Sequence, residues 1–288
     1  MEYICRVWGK QIKIIGWFLE MEKKKKSPRR LKFNTVQTVV IGFFGVILGG
    51  GILLSLPICN QKPIEFIDAL FTSVSSVCVT GLVTIVPAEQ FTLLGKIILL
   101  LLIQVGGLGV IACMSAFFLL LGKKINMKGR ITIQQAYGLD TLSGLVKFVI
   151  RILKGTFLVE GIGAVLFSLR FIPEFGFIKG VGYAIFHSVS AFCNAGIDIL
   201  GSTSFIQYSG SWLINFTTMF LIVMGGLGFP VWHDIAINIK KMTEIKKRPL
   251  KWLFTRLCLQ SKIVLTMTGL LIPVSYTHLR AHETPEHL

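Results

Sequence analysis

Phe71-Thr72-Ser73-Val74-Ser75-Ser76-Val77-Cys78-Val79-Thr80-Gly81-Leu82 returns, without a gap, as Phe186-His187-Ser188-Val189-Ser190-Ala191-Phe192-Cys193-Asn194-Ala195-Gly196-Ile197. Six of the twelve positions are identical, namely Phe, Ser, Val, Ser, Cys and Gly. A further pair follows in the same order: Leu102-Ile103-Gln104-Val105-Gly106-Gly107-Leu108-Gly109 and Leu221-Ile222-Val223-Met224-Gly225-Gly226-Leu227-Gly228, with four extra residues intervening in the second copy. One match between apolar segments arises easily by chance. Two matches in the same order, with glycines in register, indicate an internal duplication, and that sets the architecture before any motif is considered.

Long apolar stretches flank the repeated motif at residues 37–56, 91–121, 146–169, 212–231 and 263–274. All but the last approach the roughly 20 residues that a helix needs to cross a bilayer. The motif itself begins in shorter apolar stretches, 64–77 and 181–192, too short to span and too apolar for ordinary loops, and ends just beyond them. The 288-residue chain is 53% hydrophobic with mean hydropathy +0.71, well beyond a soluble domain, so lipid is its expected surrounding. Its net charge of +16 would suggest nucleic acid if it lay on one soluble face. The basic residues instead bunch between apolar runs, and no nucleic-acid partner is expected.

Those bunches fall at 21–33, 122–154 and 239–256, before the first span, after the second and after the fourth. The intervening connections carry only Lys62 on one side and Arg170 with Lys179 on the other. The positive-inside rule therefore places the basic segments and the N-terminus in the cytoplasm. The two short apolar stretches then enter and leave from outside as re-entrant loops, which are tolerated where the backbone is buried in protein or lines a watery cavity. The expected fold is an all-α integral membrane protein, with parallel repeats of helix, re-entrant pore loop and helix around a pore axis. Its divisions are a basic segment 1–33, a first repeat 34–121, a linker 122–145, a second repeat 146–235, a basic linker 236–260 and the start of a third repeat at 261–274. The opening twenty residues, with Lys10, Lys13 and a short apolar run at 12–19, read as a cytoplasmic or interfacial amphipathic segment.

A helix that ends halfway through the membrane points the negative end of its dipole inward, which favours a cation there. After each short helix come Cys78-Val79-Thr80-Gly81 and Cys193-Asn194-Ala195-Gly196, whose extended backbone offers carbonyl oxygens without helical partners. The glycines permit conformations that turn carbonyls toward an axis, where they replace an ion's hydration shell. Neutral oxygen dipoles suit potassium, offsetting dehydration without trapping the ion as a carboxylate would. Singly, Gly81 and Gly196 read as helix caps. Their duplication in register favours the conducting role.

The Gly-Gly-Leu-Gly runs lack the strand context of a nucleotide fingerprint and read as sites of close helix approach, with a hinge as the alternative. Gly45 and Gly49 take the same reading. Glu160 is the carboxylate deep within a span, either a functional site or a structural group bonded to another helix, Arg151 or Lys154. Glu65 and Asp68 suit the N-terminus of the first short helix, and Asp198 lies where it can raise local cation concentration at the mouth. His187 and His233 have no partner at useful spacing and read as structural. The six cysteines form no metal or disulfide pattern, and no set of residues argues for catalysis or a covalent cofactor.

The run Ser75 to Leu82, followed by Gln104-Val105-Gly106-Gly107-Leu108-Gly109 and by Ser190 to Gly196, resembles the Trk/Ktr/HKT superfamily of potassium transporters, most closely the KtrB-type membrane subunits of bacterial Ktr systems. The resemblance extends over about residues 34–274. It implies four pore-loop repeats in one chain, with Gly81 and Gly196 as the first two filter glycines. It further implies potassium uptake across the bacterial plasma membrane, sodium as a coupling ion, a homodimer, and docking on a cytosolic ring of nucleotide-binding regulatory subunits. Against that pattern the chain stops early. Residues 275–288 turn abruptly polar and read as a non-native tail, so the third and fourth filters of the family are expected to be missing. A sodium-translocating subunit and a non-conducting membrane assembly subunit are the alternatives.

Overall fold

The computed structural model describes residues 35–109, 113, 134, 145–244 and 254–282. The amphipathic segment and basic residues of 1–33, nearly all of the 122–145 linker, and residues 245–253 and 283–288 lie outside them. The chain divides between Thr38 and Val39, and the first unit contributes only residues 35–38 to the described part.

Thr35–Ser55 has no charge and no proline, and it forms one uninterrupted helix, α1. A short turn, Pro57–Cys59, leads to α2, Phe66–Cys78. Pro87 opens the four-residue α3, Pro87–Gln90, at a position where its missing N–H costs no helical bond. Thr92 caps α4, Leu93–Leu108, by accepting a hydrogen bond from the Gly95 amide at 3.3 Å. Helix α5, Leu145–Phe175, stops at Gly176 and hands directly to α6, Phe177–Phe192. After a turn at Ser204–Tyr208 come α7, Trp212–Gly226, α8, Phe229–Glu244, and α9, Leu259–His282. Among the described residues the fold is all-α, with a lone antiparallel bridge between Asn60 and Phe91.

Among the described residues one helix, over Lys147–Phe175, is long and apolar enough to cross a membrane, and the bent pair α7 and α8 makes a second if counted as one span. Val39–Ser55, Phe66–Cys78, Leu93–Leu108 and Leu259–Val274 are shorter apolar helices. The stretch 212–231, expected as one span, is broken: α8 leaves α7 at 94°. Gly228 makes the break with φ +84°, and Gly109 ends α4 in the same way with φ +83°. Gly228, the last glycine of the second run, is thus the bend, while Gly106, Gly107 and Gly225 give close approach.

Helix α6 packs against α4, α5 and α7, and its Ala184, Phe186, Val189 and Phe192 are buried with Phe167 and Phe171 of α5 in the main core. The tethers of the two short helices correspond residue by residue. Ser73 Oγ donates to the Ile47 carbonyl at 2.8 Å, and Ser188 Oγ donates to the Glu160 carbonyl at 2.6 Å. A Cβ at Gly50 would overlap Ser73 and Leu102, and one at Gly163 would overlap Ser188 and Leu221, so each serine needs a glycine beside it. Gly45 and Gly49, expected at a helix contact, have nothing within 4 Å of an added Cβ among the described residues. The close approach of α1 is made by Gly50 and Gly51, because the contacting face is set by where α2 lies and not by the GxxxG spacing.

Candidate functional site

The ends of α2 and α6 are built alike. Val79 and Asn194 take the left-handed conformation, with φ +58° and +59°. The next amide closes a bond back into the helix, Thr80 N–H to the Ser75 carbonyl at 3.0 Å and Ala195 N–H to the Ser190 carbonyl at 2.8 Å. This left-handed residue followed by a bond to the carbonyl five residues back is how helices commonly terminate. Capping therefore belongs to Val79 and Asn194, so the alternative reading of Gly81 and Gly196 as helix caps falls away. For Asn the conformation is tolerated, but for a β-branched valine it is strained by about 1–3 kcal/mol, which the surroundings must hold in place.

Two residues beyond each cap the chain turns again, with φ +77° at Gly81 and +67° at Gly196. These two glycines hold the same place in the two copies, 115 residues apart in the chain, and meet in space. A Cβ at Gly81 would stand 2.7 Å from the Ala195 carbonyl oxygen, and one at Gly196 would stand 3.7 Å from Gly81 Cα. The structure thus brings the ends of Cys78–Gly81 and Cys193–Gly196 together, Gly81 lying against Ala195 and Gly196. Cys78, Thr80, Asn194 and Gly196 are exposed along the pair, whereas Cys193 and Ala195 are buried. Both glycine runs press on the same place from behind. An added Cβ at Gly106 would collide with the Val77 carbonyl, at Gly225 with the Phe192 carbonyl, and at Gly107 with Cys193 of the other copy.

Beyond Gly196 the chain is held down from α6. Ser190 Oγ donates to the Ile197 carbonyl at 2.6 Å, and the Ile199 amide lies 3.5 Å from His187 Nε2. His187 Nδ1 is 2.7 Å from the Tyr183 carbonyl, so Nδ1 donates and Nε2 accepts. Phe171, Phe186 and Phe205 pack edge-on around the ring. Sequence spacing gave His187 no partner, because its partners lie one helical turn back and in the loop beyond Gly196. Asp198 lines a cavity of about 200 Å³ with Gly196, Asn194 and Thr218. Its two oxygens accept from the Leu200 amide at 3.1 Å and from Ser204 Oγ at 2.6 Å, which shapes the loop. The first copy has a different brace, placed before its glycine: Thr80 Oγ1 donates to Ser75 Oγ at 2.9 Å.

Glu160 is buried in α5, and its partner is the Gln104 amide of α4, at 3.0 and 3.3 Å from the two carboxylate oxygens. The interhelical bond is therefore present, but to a residue that sequence reading had not singled out; neither Arg151 nor Lys154 supplies it. Gln104 stands at the second copy's Val223, and that departure from the repeat was the available signal. Glu65 occupies the position before α2 without a side-chain capping bond, and Asp68 lies in the first turn. His233 packs edge-on against Phe148, at 5.1 Å between ring centres.

Residues 9–283 match the TrkH family, described as cation transport protein. The chain is 42% identical over 253 residues to the potassium/sodium uptake protein NtpJ of Enterococcus hirae, covering 86% of this chain and 52% of that protein. It is 37% identical over 216 residues to the Ktr system potassium uptake protein B of Bacillus subtilis, covering 75% and 48%. The corresponding protein of Vibrio alginolyticus is 34% identical over 245 residues, covering 85% and 51%. The chain spans about half the length of these curated relatives.

Proposed function

Since this chain belongs to the TrkH family of cation transport proteins, we propose that it takes up potassium across the bacterial plasma membrane as part of the membrane subunit of a Ktr/Trk-type system. The observation that carries this reading is the side-by-side placement of two glycine turns, Gly81 and Gly196, each at the end of a short helix. In this reading α2 and α6 are re-entrant pore helices in two parallel repeats, entered from outside, with the N-terminus in the cytoplasm. Their C-terminal dipole ends favour a cation, and the carbonyls of Cys78, Val79, Thr80 and Gly81 and of Cys193, Asn194, Ala195 and Gly196 replace its water. Asp198 sits at the mouth.

Two segments contact an ion from one side only. Further segments, contributed by the remaining length that relatives possess or by a second copy in a homodimer, close the ring. Docking on a cytosolic nucleotide-binding ring and coupling to sodium follow from the family resemblance alone. The name of the Enterococcus relative, which includes both ions, makes sodium the competing cargo. Growth rescue tests the reading: the full reading frame containing this chain should restore growth at limiting potassium to cells that lack potassium uptake, and sodium in excess should not abolish the rescue. Failure of a well-expressed protein to rescue growth would leave the non-conducting assembly reading.

A further inference from the structure

Gln104 and Glu160 connect two helices that belong to different repeats, and each is coupled at short range to a filter segment. Gln104 lies two residues before Gly106, which bears on the carbonyls of Ser76 and Val77, and three before Gly107, which bears on Cys193. The Glu160 backbone carbonyl accepts the Ser188 hydroxyl of α6, five residues before Cys193. The side-chain bond at 3.0 and 3.3 Å therefore joins the two elements on which both filter segments rest.

The repeat identifies what is special about this pair. By the serine tethers Glu160 corresponds to Ile47, and by the glycine runs Gln104 corresponds to Val223. The tether to the backbone carbonyl is common to both copies, but the polar side chains are not, so they serve the seam between the copies and not the fold of either one. Close packing does not substitute for them. A crevice of about 300 Å³, lined by Leu100, Leu101, Phe157 and Ala164 as well as the pair itself, opens beside the bond. Apolar side chains bordering open space leave the helices free to slide, whereas a carboxylate shared by one amide is directional and strengthened by low polarity.

We propose that the Gln104–Glu160 bond is a strut that fixes the spacing of the two filter segments, making both residues positioning residues for cation selectivity. Selectivity depends on the number and placement of carbonyl dipoles around the ion. Gly81 already approaches the Ala195 carbonyl closely, so a small shift at the seam changes that placement directly. The proposal rests on the conducting reading given above.

The test is sodium competition against tracer rubidium uptake, in the full reading frame containing this chain. Glu160→Leu and Gln104→Leu should each make sodium about tenfold more competitive, the change expected from loss of one hydrogen bond to a charged group. Glu160→Gln preserves an amide pair and guards against misfolding; it should stay within about threefold of the native ratio, since a neutral bond is the weaker kind. The double variant Gln104→Glu with Glu160→Gln restores a carboxylate and an amide in exchanged places and should return the ratio to within about twofold, as coupled neighbours do. A double variant no better than the leucine variants, or a conducting Glu160→Leu with native sodium competition, overturns the strut. Uptake that survives Gly81→Ser removes the filter reading instead, a separate failure.

Discussion

Gly81 and Gly196 share a left-handed backbone but not a neighbourhood, and the difference predicts unequal sensitivity. Alanine at either position carries the left-handed penalty of about 1–2 kcal/mol. At Gly81 the new Cβ also meets the Ala195 carbonyl oxygen at 2.7 Å, whereas at Gly196 the nearest atom is Gly81 Cα at 3.7 Å. Gly81→Ala should therefore reduce rubidium uptake much more than Gly196→Ala, and equal losses would contradict the observed packing. Val79 offers a change in the other direction. Val79→Asn copies the residue at the equivalent place in the second repeat and relieves strain, so stability should rise by about 1 kcal/mol, read as a higher unfolding temperature in detergent. The glycines were legible in the sequence because a repeated turn leaves a repeated residue. The caps at Val79 and Asn194 were not, because valine carries no sign of a left-handed backbone.

At the scale of the element, the two short helices are each fastened to the preceding long helix by one serine. Ser73→Ala and Ser188→Ala should each cost about 1 kcal/mol of stability, since the hydroxyl of each donates to a helix carbonyl and nothing replaces it. Gly50→Ala and Gly163→Ala, which drive a methyl into those serines, should be worse. Gly45→Ala and Gly49→Ala face open space and should change stability by less than about 0.5 kcal/mol. Thermal unfolding of the set ranks them. The existence of α2 and α6 could be read from apolar runs bounded by turn residues, as could their equivalence. The turn between α7 and α8 could not be placed uniquely, because Gly-Gly-Leu-Gly has the composition of a packing motif and of a bend. Which glycine of α1 touches α2 was equally hidden, since contact depends on the angle between helices and not on spacing along one of them.

For the whole molecule, the all-α architecture and the duplication come from local pattern, while the seam between copies exists only once the chain is folded. Gln104 and Glu160 are separated by 56 residues, and although Gln104 departs from its repeat, nothing in that departure points to Glu160 as its partner. The proposed orientation, with the N-terminus in the cytoplasm, predicts which side sees each segment. In a cysteine-free background, Leu82→Cys should react with an impermeant thiol reagent added outside intact cells, and Lys128→Cys should react only after the membrane is opened. The account's central claim, that Gly81 and Gly196 are filter turns of one cation pathway, is tested most directly by tracer rubidium uptake of the native sequence and of Gly81→Ser, at matched amounts in the membrane. The account predicts uptake that potassium competes away in the native protein and its loss in the variant; native-level uptake through Gly81→Ser would contradict it.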